Sequence, residues 1–96
     1  MKKGYVIGQI TITDAEKYKK YALNTEDIIK KFGGKYLVRG AAQDIKEGNP
    51  SENRDVVVEF ESIDQANAFY NSEEYNQIID IRKDNSKGYI MIVEGY

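Results

Sequence analysis

The stretch Tyr5 to Thr13 alternates with a period of two, yet neither of its faces is plainly polar. Val6, Gly8, Ile10 and Ile12 form one face, and Tyr5, Ile7, Gln9 and Thr11 form the other. Successive strand side chains point to opposite sides of a sheet. A strand of this kind needs cover on both sides. Helices suit the first face; the second is amphipathic but not solvent-like, and its cover has to come from elsewhere.

The rest of the chain supplies the helices. Asp14 ends the strand pattern, and Thr13 or Asp14 with Glu16 resembles a capping box. Tyr18, Tyr21, Ala22, Thr25, Ile29 and Phe32 then recur at helical spacing as a buried stripe. Gly33-Gly34 reads as a helix stop, not a phosphate cradle, because it comes after a helix instead of opening one. A second strand is expected from Lys35 to Ala41, with Leu37, Arg39 and Ala41 on one face and Tyr36 and Val38 on the other. The polar segment Gln43 to Asn53, with Gly48 and Pro50, reads as a long hairpin connection or a protruding two-stranded arm. A third strand runs from Asp55 to Glu61, with Val56, Val58 and Phe60 facing one way and Val57, Glu59 and Glu61 the other. Ser62 and Gln65 repeat the capping pattern for a helix carrying Ala66, Phe69 and Tyr70. This helix breaks near Asn71-Ser72 and resumes with Tyr75, Ile78, Ile79 and Arg82. After a turn at Asn85 to Gly88, Tyr89 to Glu94 forms the fourth strand.

The order β-α-β-β-α-β over 1–96 implies a single α+β domain with the ferredoxin-like fold. Its four-stranded antiparallel sheet carries its helices on one face, with the first and third strands interior. Tyr5, Ile7, Leu37, Val57, Ile90 and Ile92 are expected on the uncovered face. An apolar face without helices calls for a partner, so a homodimer joined sheet to sheet is the expectation.

Composition narrows the chemistry. The chain of 96 residues has no cysteine and no histidine. Disulfides, thiolate nucleophiles, zinc–thiolate sites and imidazole bases are therefore excluded. Any proton transfer would use Asp, Glu, Tyr, Lys or water. No cofactor is expected; haem is disfavoured by the missing histidine. Asp44, Glu47 and Glu52 lack the spacing of a calcium loop, so no metal is expected. The net charge of -2 gives no electrostatic reason to bind nucleic acid or an anionic membrane. The N-terminal residues lack the features of a signal peptide, and no apolar run approaches the ~18 residues of a spanning helix. A cytoplasmic location is the expectation.

Two groups of residues could carry chemistry. Arg39, Glu59 and Gln9 fall by alternation on the sheet face away from the helices. Arg39 could anchor a carboxylate or enolate with Glu59 as proton acceptor, or the two could form an ion pair that fixes the register of a dimer. Tyr70, Tyr75 and Arg82 could border a pocket for a small anion at the broken helix, or simply pack there. Glu59 and Tyr75 are the candidate catalytic groups. Tyr18 and Tyr21 read as core.

The whole pattern resembles the domain of unknown function 1330 (DUF1330) family, within the dimeric α/β barrel superfamily. The resemblance rests on Lys3-Gly4-Tyr5, Asp14 with Tyr18 and Tyr21, Gly33-Gly34, Arg39-Gly40, Glu47-Gly48 and Arg54. It continues through Glu59-Phe60, Phe69-Tyr70 with Ser72, Glu74-Tyr75, Arg82 and Val93-Glu94-Gly95. Glu73 stands where proline is expected, and Phe32 where histidine is common. The resemblance implies a fold and a dimer but no established activity. Three functions stay open: a small-molecule-binding dimer with a pocket between sheet and helices, a structural or protein-interaction dimer without ligand, and a cofactor-independent oxygenase or isomerase.

Overall fold

The computed structural model describes residues 2–96. In chain order the elements are β1 (Gly4–Ile12), α1 (Ala15–Lys31), β2 (Lys35–Arg39), β3 (Arg54–Phe60), α2 (Ile63–Tyr70), α3 (Glu73–Asn76), α4 (Ile79–Asp84) and β4 (Ser86–Glu94). The sheet is antiparallel throughout, in the order β2-β3-β1-β4. β1 and β3 are interior and β2 and β4 are edges, as the ferredoxin-like order requires.

Local chemistry sets the helix ends. The Asp14 carboxylate accepts from the Lys17 amide at 3.1 Å and caps α1. Past Phe32, Gly33 turns to φ +80°, and the Gly34 amide donates to the Ile29 carbonyl at 2.9 Å. The Ser62 hydroxyl accepts from the Gln65 amide at 3.1 Å and caps α2. The Gln65 side chain does not close the box. It donates to the Phe32 carbonyl at 2.9 Å and ties the start of α2 to the end of α1. At the break, the Ser72 hydroxyl donates to the Phe69 carbonyl at 2.7 Å and accepts from the Tyr75 amide at 3.1 Å. One side chain thus ends α2 and starts α3.

All helices cover the same side of the sheet. Val6, Ile10, Val58 and Phe60 are buried there against Tyr18, Tyr21 and Ile29 of α1, with Ala66, Phe69, Tyr75 and Ile79 from the later helices. Phe60 and Tyr75 are the largest fully buried side chains. Phe69 stacks on Phe60 with ring centroids 5.3 Å apart and lies 4.6 Å from the ring of Tyr75.

Two edge strands differ from the alternation expected of them. In β2, Tyr36 pairs with Val58, but Val38 pairs with Val57 and Arg39 with Val56. Leu37 is an extra residue, a β-bulge. A bulge places two residues against one and reverses the facing of the residues after it. Tyr36 and Arg39 therefore both share the side of Val56 and Val58, the helix side, and the expected position of Arg39 on the open face is overturned. In β4, Ile90 pairs with Gly8 and Ile92 with Val6. They lie on the helix side and pack against the core, not on the open face. Tyr89, Met91 and Val93 take the open face instead, opposite Gln9, Ile7 and Tyr5. They are 45%, 44% and 41% exposed, and Val38 is 39% exposed. The open face is apolar, with a different membership from the one expected.

The connection from Gly40 to Asn53 contains no strand and so is not a two-stranded arm. It is fastened at its end by the Gln43 amide, which donates to Asp55 Oδ2 at 2.8 Å and to the Glu52 carbonyl at 3.2 Å. It begins at Gly40, which has φ +74°. A Cβ there would run into the guanidinium of Arg54. Gly40→Ala is expected to lower stability by about 1–2 kcal/mol from the left-handed backbone alone, with more from displacing Arg54. An unchanged urea midpoint would contradict this.

Candidate functional site

Between the covered face of the sheet and α1 lies a cavity of about 40 Å³. Its walls are apolar side chains of β1, β3, β4, α1 and α2. Its polar groups come from Tyr18, Tyr21, Thr25, Tyr36, Tyr75, Arg39 and Arg54. Among the described residues no carboxylate lines it.

Arg39 reaches the cavity because of the bulge. Its Nη1 donates to Glu26 Oε2 of α1 at 3.1 Å, and its Nη2 to the Ala22 carbonyl at 3.3 Å. Its guanidinium carbon lies 4.3 Å from the centroid of the Tyr36 ring. Arg39 thus spans from the edge strand to α1 with its charge matched. Both members of the Arg39–Glu26 pair are over a third exposed, so it contributes at most about 1 kcal/mol.

Arg54 is different. It opens β3 on the helix side, paired with Ile10. Its Nε is buried with no hydrogen-bond partner, and among the described residues no carboxylate lies within ion-pair reach of it. Arg82 of α4 shares both properties and is only 8% exposed. Burial works against its charge, but the phenols of Tyr75, Tyr21 and Tyr70 outweigh this and hold its pKa above the ordinary value.

The phenols form the third component. The Tyr21 and Tyr75 hydroxyls are hydrogen-bonded at 2.7 Å and buried. The Tyr75 ring contacts those of Tyr21, Phe69 and Tyr70 at centroid distances of 6.0, 4.6 and 5.5 Å. Burial pushes the phenols of Tyr18, Tyr21 and Tyr36 above their ordinary range. Arg54 and Arg82 partly offset this at Tyr18.

The candidates read from the sequence divide among four places. Arg39 and Tyr75 line the cavity. Arg82 lies behind Tyr75, near its phenol but not in the lining. Tyr70 faces a shallow groove beside β4 with Asn67, Asn71 and Met91. Glu59 and Gln9 are on the opposite face of the sheet. Glu59 there accepts from the Tyr5 hydroxyl at 3.0 Å and sits 3.6 Å from Lys35 Nζ. The Gln9 amide donates to Asp55 Oδ1 at 2.8 Å. The expected Arg39–Glu59 pair therefore does not form; Glu26 takes the place of Glu59. Arg54 is the site residue that sequence reasoning misses. Its signal is parity: it stands two residues before Val56, in the alternation Val56, Val58, Phe60 assigned to the helix side. Among the described residues no group of three acidic side chains is placed to hold a metal ion.

Tyr75→Phe is expected to cost about 1–3 kcal/mol, because the Tyr21 hydroxyl is left buried and alone. Tyr21→Phe with Tyr75→Phe should cost less than the sum of the single changes, and additive losses in a double-mutant cycle would contradict the pairing. The raised phenols also fix a pH dependence. Each is neutral when protonated, and its folded pKa lies above the ordinary 10.0. Their contribution is full below that value and is lost as pH rises through the folded values. An alkaline titration should show tyrosinate absorbance of these groups rising together with loss of near-ultraviolet circular dichroism. Ionisation of all phenols well before unfolding would contradict it.

Known proteins agree with this picture at the level of fold. A crystal structure of a protein of unknown function from Rhodopseudomonas palustris, a structural genomics target, superposes with a TM-score of 0.75 at 14% identity, covering 99% of this chain and 83% of that one. The methylated form of that protein gives the same TM-score at 12% identity, covering 99% and 82%. No curated protein matches the chain. The family described as "Domain of unknown function (DUF1330)" matches residues 3–96. Matched over nearly its whole length, the chain belongs to the DUF1330 family.

Proposed function

We propose that this protein binds a compact carboxylate with an aliphatic body, in the cavity between sheet and helices, and that it does so as a homodimer. The single observation behind the ligand class is the buried, partnerless Nε of Arg54 in a cavity without acids among the described residues. Arg54 is half-buried, and a guanidinium whose Nε is withdrawn from water without an acceptor or counter-charge is costly. A ligand carboxylate supplies that charge and can accept two parallel hydrogen bonds from the fork. The apolar remainder of the lining suits the ligand's hydrocarbon part. Binding is favoured over acid–base turnover because the titratable groups of the lining, its arginines aside, are phenols, three of them pushed upward.

The dimer reading rests on the open face. Val38, Tyr89, Met91 and Val93 are exposed there beside half-buried Tyr5, Ile7 and Val57. A contiguous apolar surface of this kind supports the reading of an interface. A stable one buries on the order of 1,600 Å² in total.

Isothermal titration with butyrate should show binding, and butyramide, its neutral counterpart, should bind far more weakly. Arg54→Gln should weaken butyrate binding about ten- to hundredfold, the magnitude of a lost charged hydrogen bond. Equal affinity for acid and amide, or no effect of Arg54→Gln, would defeat the reading. Sedimentation at micromolar concentration should give a dimer, and Met91→Glu should shift it towards monomer. A wild-type monomer of 11.0 kDa would refute the dimer alone.

A further inference from the structure

Besides the Arg54 Nε, the cavity holds a second donor that the protein cannot use, in the Tyr21–Tyr75 pair. A phenol carries one proton and can also accept. The Tyr21 and Tyr75 hydroxyls bond each other at 2.7 Å and donate to no other group among the described residues. Two protons therefore serve one bond. Whichever phenol donates, the proton of the other finds no acceptor among the described residues. Both residues are buried, Tyr75 at 2% and Tyr21 at 8% exposure, so bulk water does not take it. Both also line the cavity. The neighbouring polar groups do not resolve the surplus. Thr25 Oγ1 is committed to the Tyr21 carbonyl at 2.6 Å. Arg54 and Arg82 are donors only, and Arg82, close to Tyr75, adds a donor to the same group.

We infer that the ligand carries a second acceptor besides its carboxylate, a keto or hydroxyl oxygen that takes the surplus phenolic proton of the Tyr21–Tyr75 pair while Arg54 holds the carboxylate. The proposal rests on the carboxylate reading above and narrows it to short oxo- or hydroxy-acids. The cavity's donors then have two separate destinations on the ligand. A plain fatty acid of equal length satisfies Arg54 but leaves the phenolic proton buried without an acceptor. A site built to hydrogen-bond a polar group discriminates against the analogue that lacks it.

The test compares butyrate with α-ketobutyrate and α-hydroxybutyrate, which have the same chain length and charge, by isothermal titration. At least one of the two oxygenated acids should bind about tenfold more tightly than butyrate, the effect of one buried hydrogen bond. The preference should survive Tyr75→Phe and Tyr21→Phe singly, since each leaves one phenolic proton. It should vanish in the double variant, which removes both partners and is expected to fold because neither hydroxyl of the pair is left alone. Thermal unfolding of the double variant checks that it folds. Equal binding of all three acids would overturn the inference and leave the carboxylate reading standing. A preference that persists in the double variant would overturn it as well. Binding of none of the acids would defeat both, whereas butyrate binding that weakens in Arg54→Gln without any preference for the oxygenated acids would defeat this inference alone.

Discussion

The molecule is organised by the one-sided cover of its sheet. β1 and β3 lie side by side in the interior, and the register that pairs Val6 with Val58 also pairs Gly4 with Phe60. That row of side chains meets Tyr18, Tyr21 and Ile29 from α1 and Phe69 and Tyr75 from the later helices. Burial of this row is the main source of stability available to a chain with no disulfide. Which side of the sheet a residue occupies then decides its surroundings. The same parity that buries Val58 brings Arg54 to the cavity, and the opposite parity sends Gln9 and Glu59 to the open face.

The cavity is a consequence of packing large rings against small residues. Gly8 lies in its floor, where a Cβ would touch the end of Ile90. The phenols that fill the helix side are long and carry polar tips. Those tips satisfy one another only in part. Tyr21 and Tyr75 share a bond, and Tyr18 lies in the field of Arg54 and Arg82. A core of leucines in these positions would close more tightly and would hold no charge. Tyr18, Tyr21 and Tyr75, with half-buried Arg54 in the lining and buried Arg82 behind Tyr75, instead leave polar groups that the protein alone does not balance, and that imbalance is the physical case for a ligand.

Much of this is legible in the chain. β1 and β3 alternate without interruption, so their faces read correctly, and Asp14, Ser62, Ser72 and Gly33-Gly34 mark the helix ends by their own hydrogen-bonding or backbone chemistry. The edge strands read less well, for two distinct reasons. In β2 the sequence Tyr36-Leu37-Val38-Arg39 is compatible with plain alternation; the bulge at Leu37 is set by pairing with β3, and a single extra residue moves Arg39 through the sheet. In β4 every residue from Tyr89 to Val93 is apolar, so alternation cannot say which face is buried. Tyr75 and Arg39 stand out in the sequence and do line the cavity, but the partner expected for Arg39 is wrong because the pairing Arg39–Glu59 needs both on one face. Arg54 is legible by parity with Val56, and the cavity role of Tyr18 and Tyr21 is hidden by their position in an ordinary buried stripe.

The central claim is that the ligand lies on the helix side of the sheet, with its carboxylate on Arg54. A crystal structure of the protein grown with butyrate tests it directly. The account predicts the carboxylate within hydrogen-bond distance of the Arg54 guanidinium and the alkyl chain among Val6, Val56 and Tyr75. Butyrate bound instead on the open face, against Glu59 and Lys35 or beside Gln9, with Arg54 untouched, would contradict it.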